Sequence, residues 1–284
     1  MSVTTAKSLV RAPLLPPERM EQHVRRRKRT YAALGIAVPV FLLLVWQVGG
    51  WVGFVDPRYF PPPSASISRG FTMIVSGQIT NDILVSLYRI VVGFLFGTVV
   101  GLIAGIFMGW SQLLRSSLEP TLNALYVVPK LAILPIFLTI FGFGEAPIIA
   151  IIAVSTFFFV WIDTMEAVAS VGVGYREAAR SFGASRLQLF RHVVFPAALP
   201  KISISFRVAM GVAVLVDVAA EFVVGGSGLG YLIFNSRALF RLDETYAGIV
   251  IVSVLGVLLQ MIIRWVGKRA TPWEKHERRA ASGY

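Results

Sequence analysis

The chain has no cysteine, which excludes disulfides, thiolate metal sites and cysteine nucleophiles. Its three histidines, His23, His192 and His276, lie far apart in polar segments, so no metal site is expected. Acids are scarce: 15 Asp and Glu stand against 27 Lys and Arg, and charged residues make up only 15% of the chain. No Ser/His/Asp set and no catalytic pair of carboxylates stands out, so this chain is not expected to be an enzyme. No Gly-x4-Gly-Lys-Ser/Thr loop occurs either, which removes a phosphate cradle of that kind. The run Gly225-Gly226-Ser227-Gly228-Leu229-Gly230 follows an apolar segment and lacks a lysine, and is expected to be a flexible external turn.

Apolar surface is what the chain has in excess. Hydrophobic residues make up 56% of its 284 residues, and the mean hydropathy is +0.71. A soluble domain of this size has no interior large enough for so much apolar surface, so an integral membrane protein is expected. Six apolar runs read as spans, the first of them long enough to cross about 30 Å of hydrocarbon as a helix. They cover Tyr31 to Val55, Leu84 to Trp110, Leu122 to Phe141, Pro147 to Ile162, Ile202 to Val224 and Tyr246 to Val266. The fold expected is all-α and polytopic, with about six transmembrane helices in a domain over residues 31–269. Residues 1–30 are expected to be a disordered basic tail, and residues 270–284 a second tail. The first run follows too long a basic region to be a signal peptide and lacks an A-x-A-like cleavage site. The stretch Pro57 to Ser66, with Pro61-Pro62-Pro63, is expected to be non-helical and external.

The net charge of +12 raises the question of nucleic acid, but its placement points to a bilayer instead. Arg25 to Arg29 precede the first run; Arg176, Arg180, Arg186, Arg191 and Lys201 lie between the fourth and fifth; Lys268, Arg269, Lys275, Arg278 and Arg279 follow the sixth. This is the cytoplasmic excess of Lys and Arg that orients membrane proteins, so both termini are expected in the cytoplasm. Externally only Arg58, Arg69, Arg237 and Arg241 remain. Gly93, Gly97, Gly101, Gly105 and Gly109 recur every fourth residue in the second run. Small residues at that spacing let helix backbones approach closely in a membrane. A four-residue stripe drifts about 40° per step, so contacts with more than one neighbour are expected.

The segment 163–201 is a polar island between two apolar runs. Residues 174–182 are good helix formers, and Gly183 suits a left-handed stop. Ser185 followed by Gln188 fits a capping box, which starts a second short helix. Leu187, Phe190 and Val194 should form its apolar stripe, with Pro196 ending it. The residues alone also permit a basic amphipathic helix resting on lipid headgroups.

Glu177-Ala178-Ala179, three residues, Gly183, nine residues and then Val193-Val194-Phe195-Pro196 resembles the E-A-A-x3-G-x9-I-x-L-P signature of permease subunits of binding-protein-dependent ABC importers. The departures, Val193 for Ile and Phe195 for Leu, stay apolar. Leu87-Tyr88-Arg89-Ile90 with Gly93 and Phe94, the Pro129-to-Pro135 segment, and Gly226 to Gly230 after Ala220-Glu221 look like the nitrate/sulfonate/taurine branch. The resemblance implies a cytoplasmic coupling-helix loop, with Glu177, Ala178, Ala179, Gly183, Pro196, Leu199 and Pro200 as the ATPase-coupling set. It implies a cytoplasmic ABC ATPase dimer, a second permease copy and an external solute-binding protein as partners, in a bacterial cytoplasmic membrane. ATP and Mg would sit on the ATPase, and no cofactor on this chain. The cargo implied is aliphatic sulfonate, taurine or nitrate; a thiamine-pyrimidine precursor is the alternative within the family. A gradient-driven secondary transporter is the alternative of another class, but it calls for internal repeats and midplane carboxylates that are not evident.

Ionisable residues inside spans mark function by default. Lys130, beside Pro129 in the third run, is the candidate for positive potential along an anion path, or else it snorkels or pairs with an acid. Asp217 and Glu221 share one face near the external end of the fifth run, and Arg89 lies at a similar depth in the second. A structural or gating ion pair between Arg89 and this acidic face is expected. Arg207 is expected to snorkel.

Overall fold

The structure, a computed structural model, describes residues 17–54 and 56–273, and among these every regular element is helical. The chain divides into two compact units, Met1–Ser64 and Ala65–Tyr284.

The first unit is built on α1 (Pro17–Trp51). The helix expected from Tyr31 thus starts fourteen residues earlier, at the expense of the tail expected over residues 1–30. Pro17 suits a first helical position, and Glu, Met, Gln, Arg and Lys dominate the next turns, all good helix formers. Residues 1–16 of that tail, and 274–284 of the C-terminal one, lie outside the described residues. Beyond α1 the Gln47 side chain donates to Ser64 Oγ and accepts from the Ser64 amide, both at 3.0 Å.

The second unit carries the remaining elements. A helix that the sequence did not suggest, α2 (Pro63–Val75), opens on the last proline of the Pro-Pro-Pro run. Proline is disfavoured within a helix but suits its first turn, so Pro63 to Ser66 are helical after all. Then come α3 (Thr80–Trp110) and α4 (Gln112–Val127). A 3₁₀ turn (Lys130–Ile133) and α5 (Leu134–Phe141) follow, bent by 86° from α4. The third run is therefore a broken span, not one helix. Val128 before Pro129 is extended, with φ −61° and ψ 127°, as the proline ring requires of its predecessor. The fourth run, α6 (Glu145–Ala169), continues seven residues past Ile162 into the expected island.

The island itself is α7 (Val173–Ser181), α8 (Arg186–Leu189) and a π-helical turn (Phe190–Val194) that leads into α9 (Phe195–Val224). Pro196 does not end the second island helix. It occupies the first turn of α9, where a missing N–H costs little. Short α10 (Leu229–Ala238) and long α11 (Leu242–Ala270) complete the chain.

The glycine stripe of α3 meets one neighbour along its whole length, α6, rather than several. A Cβ added at Gly93 would lie 2.7 Å from the Ile152 side chain, one at Gly101 2.7 Å from the Phe157 carbonyl, and one at Gly109 2.7 Å from Val168. At Gly97 it would overlap Thr156 and the Ala153 carbonyl, and at Gly105 it would meet Thr164 at 2.6 Å. The facing residues Ile152, Thr156, Val160, Thr164 and Val168 also recur every fourth position. Matched four-residue rows let two helices cross obliquely, so a single neighbour follows the drifting stripe.

Residue numbers rise together along this seam, so α3 and α6 run parallel. The segment between them must recross the bundle, which makes the bent α4–α5 pair the sixth crossing besides five straight candidate spans. Contacts of Gly211 with Gln260, Gly256 with Val214 and Gly267 with Ser203 show that α9 and α11 run antiparallel. The core lies among α3, α5, α6 and α9, where Ile90, Phe94, Leu134, Ile151, Ile152, Ala209 and Ala213 are buried. One end of this unit carries Arg89, Glu145 and Glu221; the other carries the island.

Candidate functional site

At the island end, the turn chemistry read from the sequence is present. Gly183 has φ +80°, its amide donates to Arg180 O at 2.8 Å, and the Ala184 amide donates to Ala179 O at 3.1 Å. That pair of bonds is a Schellman stop, and a side chain at Gly183 would meet nothing within 4 Å. The glycine is therefore there for its backbone angle. Ser185 Oγ accepts from the Gln188 amide while Gln188 Oε1 accepts from the Ser185 amide, closing the capping box.

The island is anchored on one side and exposed on the other. Leu189, Val194, Ala198 and Ile202 are buried with Ala167 and Val168 of α6, and Ala179 and Phe190 pack against them. Arg176 donates to Val168 O at 2.8 Å, satisfying a carbonyl near the end of α6, and Lys201 pairs with Glu166 at 3.3 Å. Leu187 leaves the expected stripe and is exposed; Leu189 takes the inward place instead. Glu177 and Ala178 face outward, as do Val173, Tyr175 and Phe182, the last 92% exposed. Arg180, Arg186 and Arg191 surround them. Pro196, Leu199 and Pro200 are half-buried on the first turns of α9, away from the tip that Phe182 forms.

At the opposite end, Arg89 is nearly fully buried in a polar cluster. Its Nη1 donates to Glu221 Oε1 at 2.6 Å and to Ser227 O at 2.9 Å; Nη2 donates to Glu145 Oε1 at 2.9 Å and Ser227 Oγ at 3.1 Å; Nε donates to Glu145 Oε2. Ser86 Oγ donates to Glu221 at 2.8 Å and accepts from the Leu229 amide at 2.8 Å. Glu221 also accepts from the Gly230 amide at 2.7 Å, and Asp82 from the Gly228 amide at 2.9 Å. Asp82, Ser86 and Arg89, spaced four and three apart on one face of α3, thus grip the glycine run. The run is not the flexible turn expected. Gly228 (φ +105°) leaves no room for a Cβ beside the Glu221 carboxylate, and a Cβ on Gly230 would lie 2.9 Å from Glu221 Cβ.

The expected pair of Arg89 with the acidic face is present at Glu221 but not at Asp217, whose two carboxylate oxygens are buried without a hydrogen-bond partner. Glu145 was missed in the sequence. Its signal was an acid opening an apolar helix right after two glycines, Gly142 and Gly144, that hold φ +75° and +141°.

Lys130 sits at the break of the third span. Its Nζ donates to the carbonyls of Tyr126, Val128 and Leu125 at 2.7, 2.9 and 3.1 Å, and lies 4.4 Å from the Phe158 ring centroid. The ammonium thus caps the end of α4 rather than pairing with an acid. Phe158 is adjacent to Phe159, whose carbonyl accepts from Ser205 of α9 at 3.5 Å. Arg207, two residues along from Ser205 on α9, is exposed.

Comparisons with known proteins agree with this architecture. The family described as "binding-protein-dependent transport system inner membrane component" matches residues 97–272. SsuC of Bacillus subtilis (strain 168), provisionally named an aliphatic sulfonates transport permease protein, is 34% identical over 87% of this chain and 90% of its own length. The taurine transport system permease protein TauC of Escherichia coli (strain K12) is 31% identical over 88% of this chain and 95% of its own. The nitrate import permease protein NrtB of Synechocystis sp. is 30% identical over 86% and 90%. Among solved structures, the inward-facing MetNI methionine ABC transporter superposes with a TM-score of 0.61 at 21% identity, covering 68% of this chain and 96% of that one. The bacterial alginate ABC transporter has the same fold, with a TM-score of 0.59 at 16% identity over 89% and 98%. With an all-helical bundle whose polar island joins α6 to α9, and a match to this family over more than half of its length, the chain belongs to the inner-membrane components of binding-protein-dependent transport systems.

Proposed function

We propose that the chain is the permease subunit of an ATP-driven importer, in which two copies form the pathway and two cytoplasmic ATPase subunits each grip one island. The observation that carries this is the island's build. A Schellman stop and a capping box hold two short helices rigidly against α6 and α9, yet Phe182, Tyr175, Leu187, Glu177 and Ala178 are left uncovered at its tip. A rigid element with an exposed aromatic transmits force from a soluble partner, whereas a headgroup-resting helix would need no such bracing. The Lys and Arg excess supports a cytoplasmic position for this end and for both termini. The Arg89 end then faces the external binding protein that delivers cargo.

In this reading the chain catalyses no reaction and binds no cofactor; ATP and Mg sit on the ATPase. Cargo is a small anion, with aliphatic sulfonate, taurine and nitrate the leading members, as the names of the relatives suggest. Lys130 and Arg207, two cations within the spans, support an anion path, and the buried Arg89 cluster supports a gating role at the outer mouth.

The test is reconstitution of the chain with its ATPase and binding protein. Phe182→Asp and Gly183→Val are expected to release the ATPase on purification and to abolish ATP-dependent uptake. Uptake by the purified chain alone, driven by an ion gradient without ATP, refutes the proposal. Calorimetry of the binding protein against taurine, nitrate and ethanesulfonate identifies the cargo.

A further inference from the structure

Asp217 is the one carboxylate in the Arg89 cluster that has nothing to do in this structure. It is fully buried, and neither Oδ1 nor Oδ2 has a hydrogen-bond partner, while Glu221, Glu145, Asp82, Ser86 and Ser227 are all engaged. A buried polar group left unpaired is costly, and native proteins carry few of them. The charged groups that act electrostatically on Asp217 are Glu221 on its own helix, Arg89 on α3 and Glu145 on α6. Among the described residues no three His, Cys, Asp or Glu side chains converge to hold a metal ion, so Arg89 is the cation available to it.

Asp217 lies four residues before Glu221, on the same face of α9 and about 6 Å toward the island end. The occupied acceptor and the empty one are therefore one helical turn apart along the path of a single arginine. We propose that Arg89 is a two-position switch: Glu221, Glu145 and Ser227 hold it in this structure, and Asp217 receives it in a second state of the transport cycle. The proposal rests on the transport reading above, because the second state is reached only when the island is moved.

The exchange has a mechanical consequence at the outer mouth. In the present position Arg89 ties the first residue of α6 to the loop before α10, through Glu145 and Ser227. Moving its guanidinium one turn inward unties both at once. Gly225, Gly226 and Gly228, with φ of +73°, +94° and +105°, then give the loop room to rearrange. One-turn displacements of an element past another are an established mode of switching between packed states. Asp217 makes that state available by replacing the carboxylate that Arg89 leaves, so the arginine is never buried without a counter-ion.

The experiment uses the complete transporter in proteoliposomes, with Asp217→Asn, Asp217→Glu and Glu221→Gln. Asp217→Asn is expected to cut ATP-driven uptake at least about tenfold, a 1.4 kcal/mol loss in the population of the second state. The melting temperature of the same variant should stay level, because one unpaired polar side chain replaces another of the same shape. Asp217→Glu should restore part of the uptake. The chain has no cysteine, so spin labels at Phe143→Cys and Val223→Cys report the mouth without background. Their separation should change in the wild-type background when the ATPase is trapped with a non-hydrolysable ATP analogue, and should not change with Asp217→Asn. Wild-type uptake by Asp217→Asn, an unaltered label response, or a lowered melting temperature beside the lost uptake each overturns the switch. Absence of ATP-driven uptake by the unmodified protein overturns the transport reading itself and the switch with it.

Discussion

Two glycine-to-alanine substitutions in buried positions of long helices are expected to shift stability in opposite directions. At Gly101 an added Cβ lies 2.7 Å from the Phe157 carbonyl oxygen, 3.1 Å from Val160 Cβ and 3.2 Å from the Trp161 amide nitrogen. Ordinary contact begins at about 3.5 Å, so α3 and α6 must separate by roughly 0.8 Å at this point. A gap of that size forfeits a quarter to a half of each dispersion contact, or about 0.05 kcal/mol per atom pair. Over a few dozen pairs along the seam the loss is on the order of 2 kcal/mol, within the range measured for overpacked cores.

At Gly256 the same Cβ meets only the Val214 side chain, at 3.5 and 3.9 Å. There the alanine fits, and the lower helix propensity of glycine predicts a gain of up to about 1 kcal/mol. The assay is thermal unfolding of the purified protein in detergent at one scan rate, followed by tryptophan fluorescence. Trp161, one of six tryptophans, is fully buried with Nε1 3.0 Å from Met108 Sδ on α3, and so contributes a signal from the seam. Gly101→Ala should melt several degrees lower and Gly256→Ala no lower than the parent. Adding Val160→Ala to Gly101→Ala should not restore stability, because the obstruction is a backbone carbonyl that no side-chain change removes. Equal shifts for the two glycines, or rescue by Val160→Ala, would refute the seam as the source.

Gly228→Ala combines a left-handed backbone angle, φ +105°, with a direct overlap on the Glu221 carboxylate, so it should cost at least about 3 kcal/mol and open the loop to proteolysis. Unchanged protease sensitivity in limited digestion would count against the clamp. Lys130→Met keeps the side-chain stem but removes the donor to three carbonyls at the break of the third span. It should lower the melting point by the equivalent of about 1–3 kcal/mol, with Lys130→Arg close to the parent. A Met variant as stable as wild type would show that the cap is dispensable.

Much of this was legible without the fold because it depends on near neighbours in sequence. Gly183 ends a helix by its own backbone angle, and Ser185 and Gln188 bond to each other three residues apart. The apolar runs are set by the length of helix that hydrocarbon requires. Where the local signal was ambiguous, packing decided. Proline at 129 says only that a helix is disturbed; the 86° bend of α4 against the following helix depends on what Lys130 and Phe158 do around it. Pro63 and Pro196 could each have been stops, and became starts because the residues after them had a surface to bury.

Composition and spacing determined that this is a helical membrane protein with a cytoplasmic-type polar island, since burial, capping and charge asymmetry act on stretches of a few residues. That five glycines all serve one neighbour, that Glu145 at the start of a distant helix completes the Arg89 cluster, and that Asp217 is left without a partner were decided only in three dimensions. Those contacts join residues up to 146 positions apart, and the pairing of such groups is set by which helices run parallel and at what depth. No local pattern encodes that.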